Sequence, residues 1–164
     1  MVSFFKFNMA KLSGKVTSKV AKYGPGSGGT YPGHIFTKIA GQEAIPKLAS
    51  DLKYGSVLIT GTNGKTTTTT LLIKLMSKDI QIRKSYENNI LNSIVTALLS
   101  QKGDLGIFEY GIRDMTWGIP DTVERLIKPI GVVYTTIHRS TLRLQVLKIL
   151  LNHIMKQKDC FQKA

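Results

Sequence analysis

Acidic residues are scarce: ten Asp and Glu stand against 23 Lys and Arg, and no carboxylate precedes Glu43. The resulting formal charge of +13 favours polyanionic partners such as nucleotides, anionic lipid or nucleic acid, without choosing among them. No helix-turn-helix, zinc-finger or aromatic RNA-binding signature accompanies the charge, so nucleic acid ranks last. The single cysteine, Cys160, excludes an intramolecular disulfide and a thiolate-built structural zinc site, and it is consistent with a reducing compartment. No run reaches the roughly 18 apolar residues of a membrane span. The opening Met1 to Met9 is apolar but broken by Lys6, and it lacks a continuous signal-peptide core and a small-residue cleavage site. A cytoplasmic protein is expected, with residues 1–23 able to make peripheral contact with the inner face of a membrane.

What is present is enough for one folding unit: 164 residues of which 42% are hydrophobic can bury an ordinary core. Its organising stretch is Thr60-Gly61-Thr62-Asn63-Gly64-Lys65-Thr66-Thr67, between the apolar run Val57-Leu58-Ile59 and the helically spaced Leu71, Leu72 and Leu75. Strand, glycine turn, lysine-threonine and helix, in that order, build a phosphate cradle. Glycines let backbone N–H groups turn inward, the helix N-terminus contributes partial positive charge, and Lys65 reaches the terminal phosphates. The Thr66 hydroxyl is then placed for Mg²⁺. Gly61, Thr62, Asn63, Gly64, Lys65, Thr66 and Thr67 are the candidate ATP-binding residues. The spacing is tighter than G-x-x-x-x-G-K-[ST], because Ile59 stands where that pattern has its first glycine.

Around this unit the periodicity predicts alternating strands and helices. In residues 1–54, Phe5, Met9, Leu12, Val16 and Val20 recur every three or four residues, with Lys11, Lys15, Lys19 and Lys22 on another face. That is a basic amphipathic helix, either packed on its own domain with lysines in water or docked on an anionic membrane. Gly24 to Gly33 is too rich in Gly and Pro for regular structure, and 35–53 is helical, interrupted or restarted at Pro46. In 55–137 the expected order is strand 56–60, helix 65–77, strand 80–85, a helix carrying Leu91, Ile94, Val95, Leu98 and Leu99, strand 105–112, helix 120–128 and strand 131–136. The fold class is α/β, a phosphate-loop NTPase-like parallel sheet with helices on both faces and ligands at the strand C-termini. Asn88 and Asn89 precede a helix, where they serve as caps or as site residues. Glu109 closes an apolar strand, a position whose desolvation cost a bound Mg²⁺ would offset.

The spelling G-T-N-G-K-T over Gly61–Thr66 resembles the variant of the Mur ligase superfamily, ATP-dependent enzymes that join an amino acid to a carboxylate in cell-wall and folylpolyglutamate synthesis. The basic helix, the glycine-proline stretch and the short helix ahead of it resemble the entry to proteins of the MurT type and to archaeal pseudomurein peptide ligases. The resemblance implies that Asn88 and Asn89 lie beside the acceptor substrate and the γ-phosphate, as in the MurF-type motif, and that Glu109, in Phe-Glu-Tyr-Gly, binds magnesium. Lys65, Asn88 and Asn89 are the catalytic candidates; Thr66, Glu109 and His138 are the metal candidates. After Thr136 the pattern departs. His138 comes early and no acid precedes it, which leaves it either a metal ligand or a turn histidine. The carbamylated lysine, further strands and closing domain of the family are not identifiable. The 138–164 tail instead holds Leu142, Leu144, Val146, Leu147, Ile149, Leu150, Leu151, Ile154 and Met155, apolar on nearly every side. Such a run would close an open sheet edge, pair with another subunit, or be a tail from a shifted reading frame. The expected activity is amide-bond formation through an acyl phosphate, with a possible inactive fragment or a non-catalytic ATP-binding subunit with a partner polypeptide as the alternatives; the fold is expected to be incomplete relative to the full central domain of such a ligase.

Overall fold

The computed structural model describes residues 3–21, 29–85, 90–111 and 120–136, with the side chains of 120 and 121 not described. Asn88, Asn89, His138, residues 24–28 of the glycine-proline stretch and the 138–164 tail lie outside the described residues.

Four parallel strands run in the order β2-β3-β1-β4: β1 is Ser56–Thr60, β2 Ile82–Ser85, β3 Leu105–Glu109 and β4 Gly131–Tyr134. The sequence places β1, β3 and β4 as short apolar runs between glycine- and polar-rich turns and β2 as a short alternating stretch, and the two inner strands are buried almost throughout, as continuous apolar strands of a covered parallel sheet must be. One face is covered by α4 (Lys65–Met76), whose Leu72, Ile73 and Met76 pack on Ile59, Leu105 and Ile107. Against the other face lie α5 (Leu91–Ser100) and α6 (Pro120–Ile127), bringing Ile94, Val95 and Val123 against Leu58 and Phe108. The α/β architecture with helices on both sheet faces is thus realised.

The N-terminal helices join the same core. Here α1 is Phe4–Ala21, α2 Tyr31–Ala40 and α3 Ile45–Ala49, the last preceded by a 3₁₀ turn at Gln42–Ala44. Pro32 and Pro46 each stand at the start of a helix, where a missing N–H costs nothing. Pro46 therefore restarts the chain, and α2 begins four residues before the expected position.

The face of α1 departs from its sequence pattern. Phe7, Ala10, Gly14 and Ser18 are the buried residues, whereas Phe5, Met9, Leu12, Val16 and Val20 point to solvent. Close approach decides this outcome. A Cβ on Gly14 would stand 2.7 Å from Leu99 Cδ1, so α1 and α5 meet through small residues that larger apolar ones could not replace. Phe7 inserts edge-on against Phe36 with ring centroids 5.9 Å apart, and Lys11 reaches Asp51 at 2.7 Å.

Candidate functional site

The candidate site lies where β1, β3 and β4 end. Ile59 pairs with Glu109 and Thr60 with Tyr134, so the turn leaving β1, the carboxylate ending β3 and the residues after β4 share one edge of the sheet. Parallel pairing forces this convergence, because all the strands point the same way.

Gly61 leaves β1 with φ +144° and Gly64 enters α4 in the left-handed region at φ +81°. The two glycines are needed for different reasons. A Cβ on Gly61 would overlap the Thr135 hydroxyl, whereas one on Gly64 would meet only Thr135 Cβ, 3.8 Å away. Gly64→Ala should therefore cost about 1–2 kcal/mol from backbone conformation alone, and Gly61→Ala distinctly more, because the turn must also part from β4. Chemical denaturation of the two variants checks the order, and equal losses would contradict it.

The turn is clamped from β4. Thr62 N–H donates to the Thr136 carbonyl at 2.6 Å, and the Thr135 hydroxyl donates to the Asn63 carbonyl, also at 2.6 Å. Thr135 and Thr136 are contributors that the motif does not reveal, since nothing in their local sequence shows that β4 lies beside β1. The Thr62 N–H, committed to Thr136, is withdrawn from the set of donors that the turn can offer inward. At the start of α4 no side chain caps the helix and its first turn contains no acid. The first N–H groups there have no acceptor within the helix, and the end carries partial positive charge. Lys65 Nζ lies 3.4 Å from the Thr62 carbonyl. Asn63, Gly64, Thr66 and Thr67 are solvent-accessible along the turn and first helical residues.

Thr66 and Glu109, 43 positions apart, meet here. The Thr66 hydroxyl lies 2.9 Å and 3.1 Å from the two carboxylate oxygens of Glu109, which is only 2% exposed. Burial pushes the Glu109 pKa up, and the Thr66 hydrogen bond and the Lys65 charge oppose it. The folded state thus holds this proton more tightly than the unfolded chain. Stability should fall as pH rises above the ordinary carboxylate range, with the deficit complete once the folded group has ionised. Glu109→Gln should accordingly stabilise the metal-free protein by about 1 kcal/mol at pH above neutrality and by almost nothing in acid. Melting temperatures of both proteins across that pH range check the sign; a pH-independent difference would contradict it.

Two hard oxygen donors, one of them a buried carboxylate, fit a small divalent cation that takes its remaining ligands from phosphate and water. Among the described residues there is no cluster of three His, Cys, Asp or Glu, so Thr66 and Glu109 are the donors that the described residues bring together. The catalytic candidates Asn88 and Asn89 and the metal candidate His138 lie outside the described residues.

A central parallel strand running through a glycine turn into a helix, with a carboxylate on the neighbouring strand, defines a phosphate-loop α/β domain. The Mur ligase middle domain family matches residues 59–142, half of the chain. The chain belongs to the Mur ligase family, through its central domain. Among solved structures, one crystal form of MurF from Acinetobacter baumannii shares the fold, with a TM-score of 0.50 and 17% identity over 69% of this chain and 23% of that one. The UDP-N-acetylmuramoylalanyl-D-glutamyl-2,6-diaminopimelate--D-alanyl-D-alanyl ligase of the same organism gives 0.48, with 17% identity over 58% and 23% of the two chains. The chain thus spans about a quarter of the length of these structures. No curated protein matches it.

Proposed function

We propose that this domain binds Mg·ATP at the β1–α4 turn and serves an ATP-dependent amide-bond-forming ligase of the Mur type. The observation that carries the reading is the meeting of Thr66 with the buried Glu109 beside the uncapped start of α4. The turn N–H groups and Lys65 would hold the β- and γ-phosphates, and Thr66 and Glu109 would hold the metal. Bound there, Mg²⁺ supplies positive charge against the phosphate oxygens as negative charge shifts toward the leaving group.

In the proposed reaction, a carboxylate oxygen of a cell-wall precursor attacks the γ-phosphorus, the bond to the β,γ-bridging oxygen breaks and ADP leaves. The amine of an amino acid then attacks the acyl carbon of the resulting acyl phosphate, inorganic phosphate departs, and the nitrogen gives up a proton. Asn88 and Asn89 would position the acceptor. Lys65 acts through orientation and charge and takes no part in covalent chemistry.

The test is calorimetric titration with ATP in magnesium and in EDTA, using the parent protein and Glu109→Gln. We expect magnesium to tighten ATP binding to the parent and to do so far less in the variant. Equal magnesium dependence in both would remove Glu109 from the metal site. ATP binding without phosphoryl transfer to any wall-precursor carboxylate would favour a non-catalytic nucleotide-binding subunit that acts with a partner polypeptide.

A further inference from the structure

α1 is apolar on the side away from the domain. Phe5, Met9, Leu12, Val16 and Val20 are 73%, 47%, 60%, 52% and 65% exposed. At 100° per residue they fall within one sector, opposite the sector of Phe7, Ala10, Gly14 and Ser18 that faces α2 and α5. The stripe is therefore not a packing face turned aside. It remains outward because another face of the same helix already holds the domain. Lys15 and Lys19 flank it on one side and Lys6 on the other, all exposed, and no acid occurs anywhere before Glu43.

We infer that α1 lies in the interface of an anionic lipid bilayer, with the outward stripe among the acyl chains and its lysines at the headgroups. Charge selects this occupant. A second copy of the chain would oppose lysine to lysine with no acid on either helix, and Lys11, the lysine paired on the domain side, already has Asp51. A lipid surface supplies both the negative charge and a deformable apolar phase for side chains that protrude from a convex helix, and long lysine stems can extend from one to the other. Among the described residues no helix is long and apolar enough to cross a membrane, so the contact is one of lying on the surface. Because the inner face stays packed, the domain can dock without α1 detaching.

The test is co-sedimentation of the full chain with vesicles of phosphatidylcholine, alone or mixed with phosphatidylglycerol. Two variants accompany it: Met9→Ser/Leu12→Ser/Val16→Ser, which leaves the charge unchanged, and Lys6→Gln/Lys15→Gln/Lys19→Gln, which leaves the stripe unchanged. The parent should bind the anionic vesicles in a salt-dependent manner. Each variant should bind them at least about tenfold more weakly, with unchanged melting temperature because the altered side chains are exposed. Undiminished binding by the serine variant would reduce the association to net charge and overturn the inference. So would failure of the parent to bind, or a parent dimer that the serine variant dissolves.

Discussion

Replacing Lys65 by alanine should weaken Mg·ATP binding by about 30- to 150-fold, the equivalent of about 2–3 kcal/mol for a charge-assisted contact to phosphate. The side chain sits at the first position of α4, whose start has no side-chain cap and no acid in its first turn. Within the protein it lies 3.4 Å from the Thr62 carbonyl, too long to contribute much to stability, and its charge favours the ionised form of Glu109. In acid, where Glu109 is protonated, the variant should therefore melt at the same temperature as the parent without nucleotide, and at neutral pH it should lose most of the stabilisation that saturating Mg·ATP confers. Calorimetry and thermal shift on the same samples separate the two effects. Unchanged affinity would place the phosphates elsewhere, whatever the shape of the turn.

The second large effect concerns Gly33→Ala, which should destabilise the fold by about 3 kcal/mol although alanine is the better helix former by about 1 kcal/mol. Gly33 lies where α2 crosses α5, and its N–H donates to the Thr96 hydroxyl at 2.9 Å. That hydroxyl in turn donates to the Asn92 carbonyl at 2.8 Å. A Cβ on Gly33 would overlap the Asn92 carbonyl oxygen and stand 3.0 Å from Thr96 Oγ1. The obstacle is largely main chain, so no rotamer change relieves it, and α2 must move away and break the hydrogen-bonded chain. Thr96→Val, which keeps the volume and removes the hydroxyl, should cost less, about 1–2 kcal/mol for the buried N–H left unpaired. Urea denaturation of the two variants checks the ranking; a neutral Gly33→Ala would show that the helices can separate freely.

Much of the sheet was legible because β1, β3 and β4 are short apolar runs bounded by turns, while β2, Ile82-Arg-Lys-Ser85, shows only as a short alternating stretch at the sheet's edge. The glycine turn was legible for a different reason: its residue types are dictated by backbone conformation and close approach, which leave few alternatives. Glu109 stood out through chemistry, as a carboxylate at the end of an apolar strand in a chain with few acids.

What sequence spacing could not show was which residues meet across strands. Thr135 and Thr136 look like ordinary strand-end threonines until β4 is placed beside β1. The inner face of α1 was hidden because hydropathy ranks Phe5, Leu12 and Val16 above Ala10, Gly14 and Ser18, while the fit against α5 depends on small size. The apolar pattern described a helix correctly, but the reading in which that face packs on the domain does not hold, since Phe7, Ala10, Gly14 and Ser18 are the buried residues.

The clamp on the glycine turn has a consequence for biosynthesis. Thr62 and Asn63 are held by Thr136 and Thr135, more than 70 positions later, and β1 has both its neighbours, β3 and β4, downstream. During translation the turn emerges well before its fastening contacts, Thr135 and Thr136. A ribosome-bound nascent chain arrested before that point would expose the glycine turn without its β4 support, and the proposed ATP capture would have to await a strand made more than 70 positions after the turn.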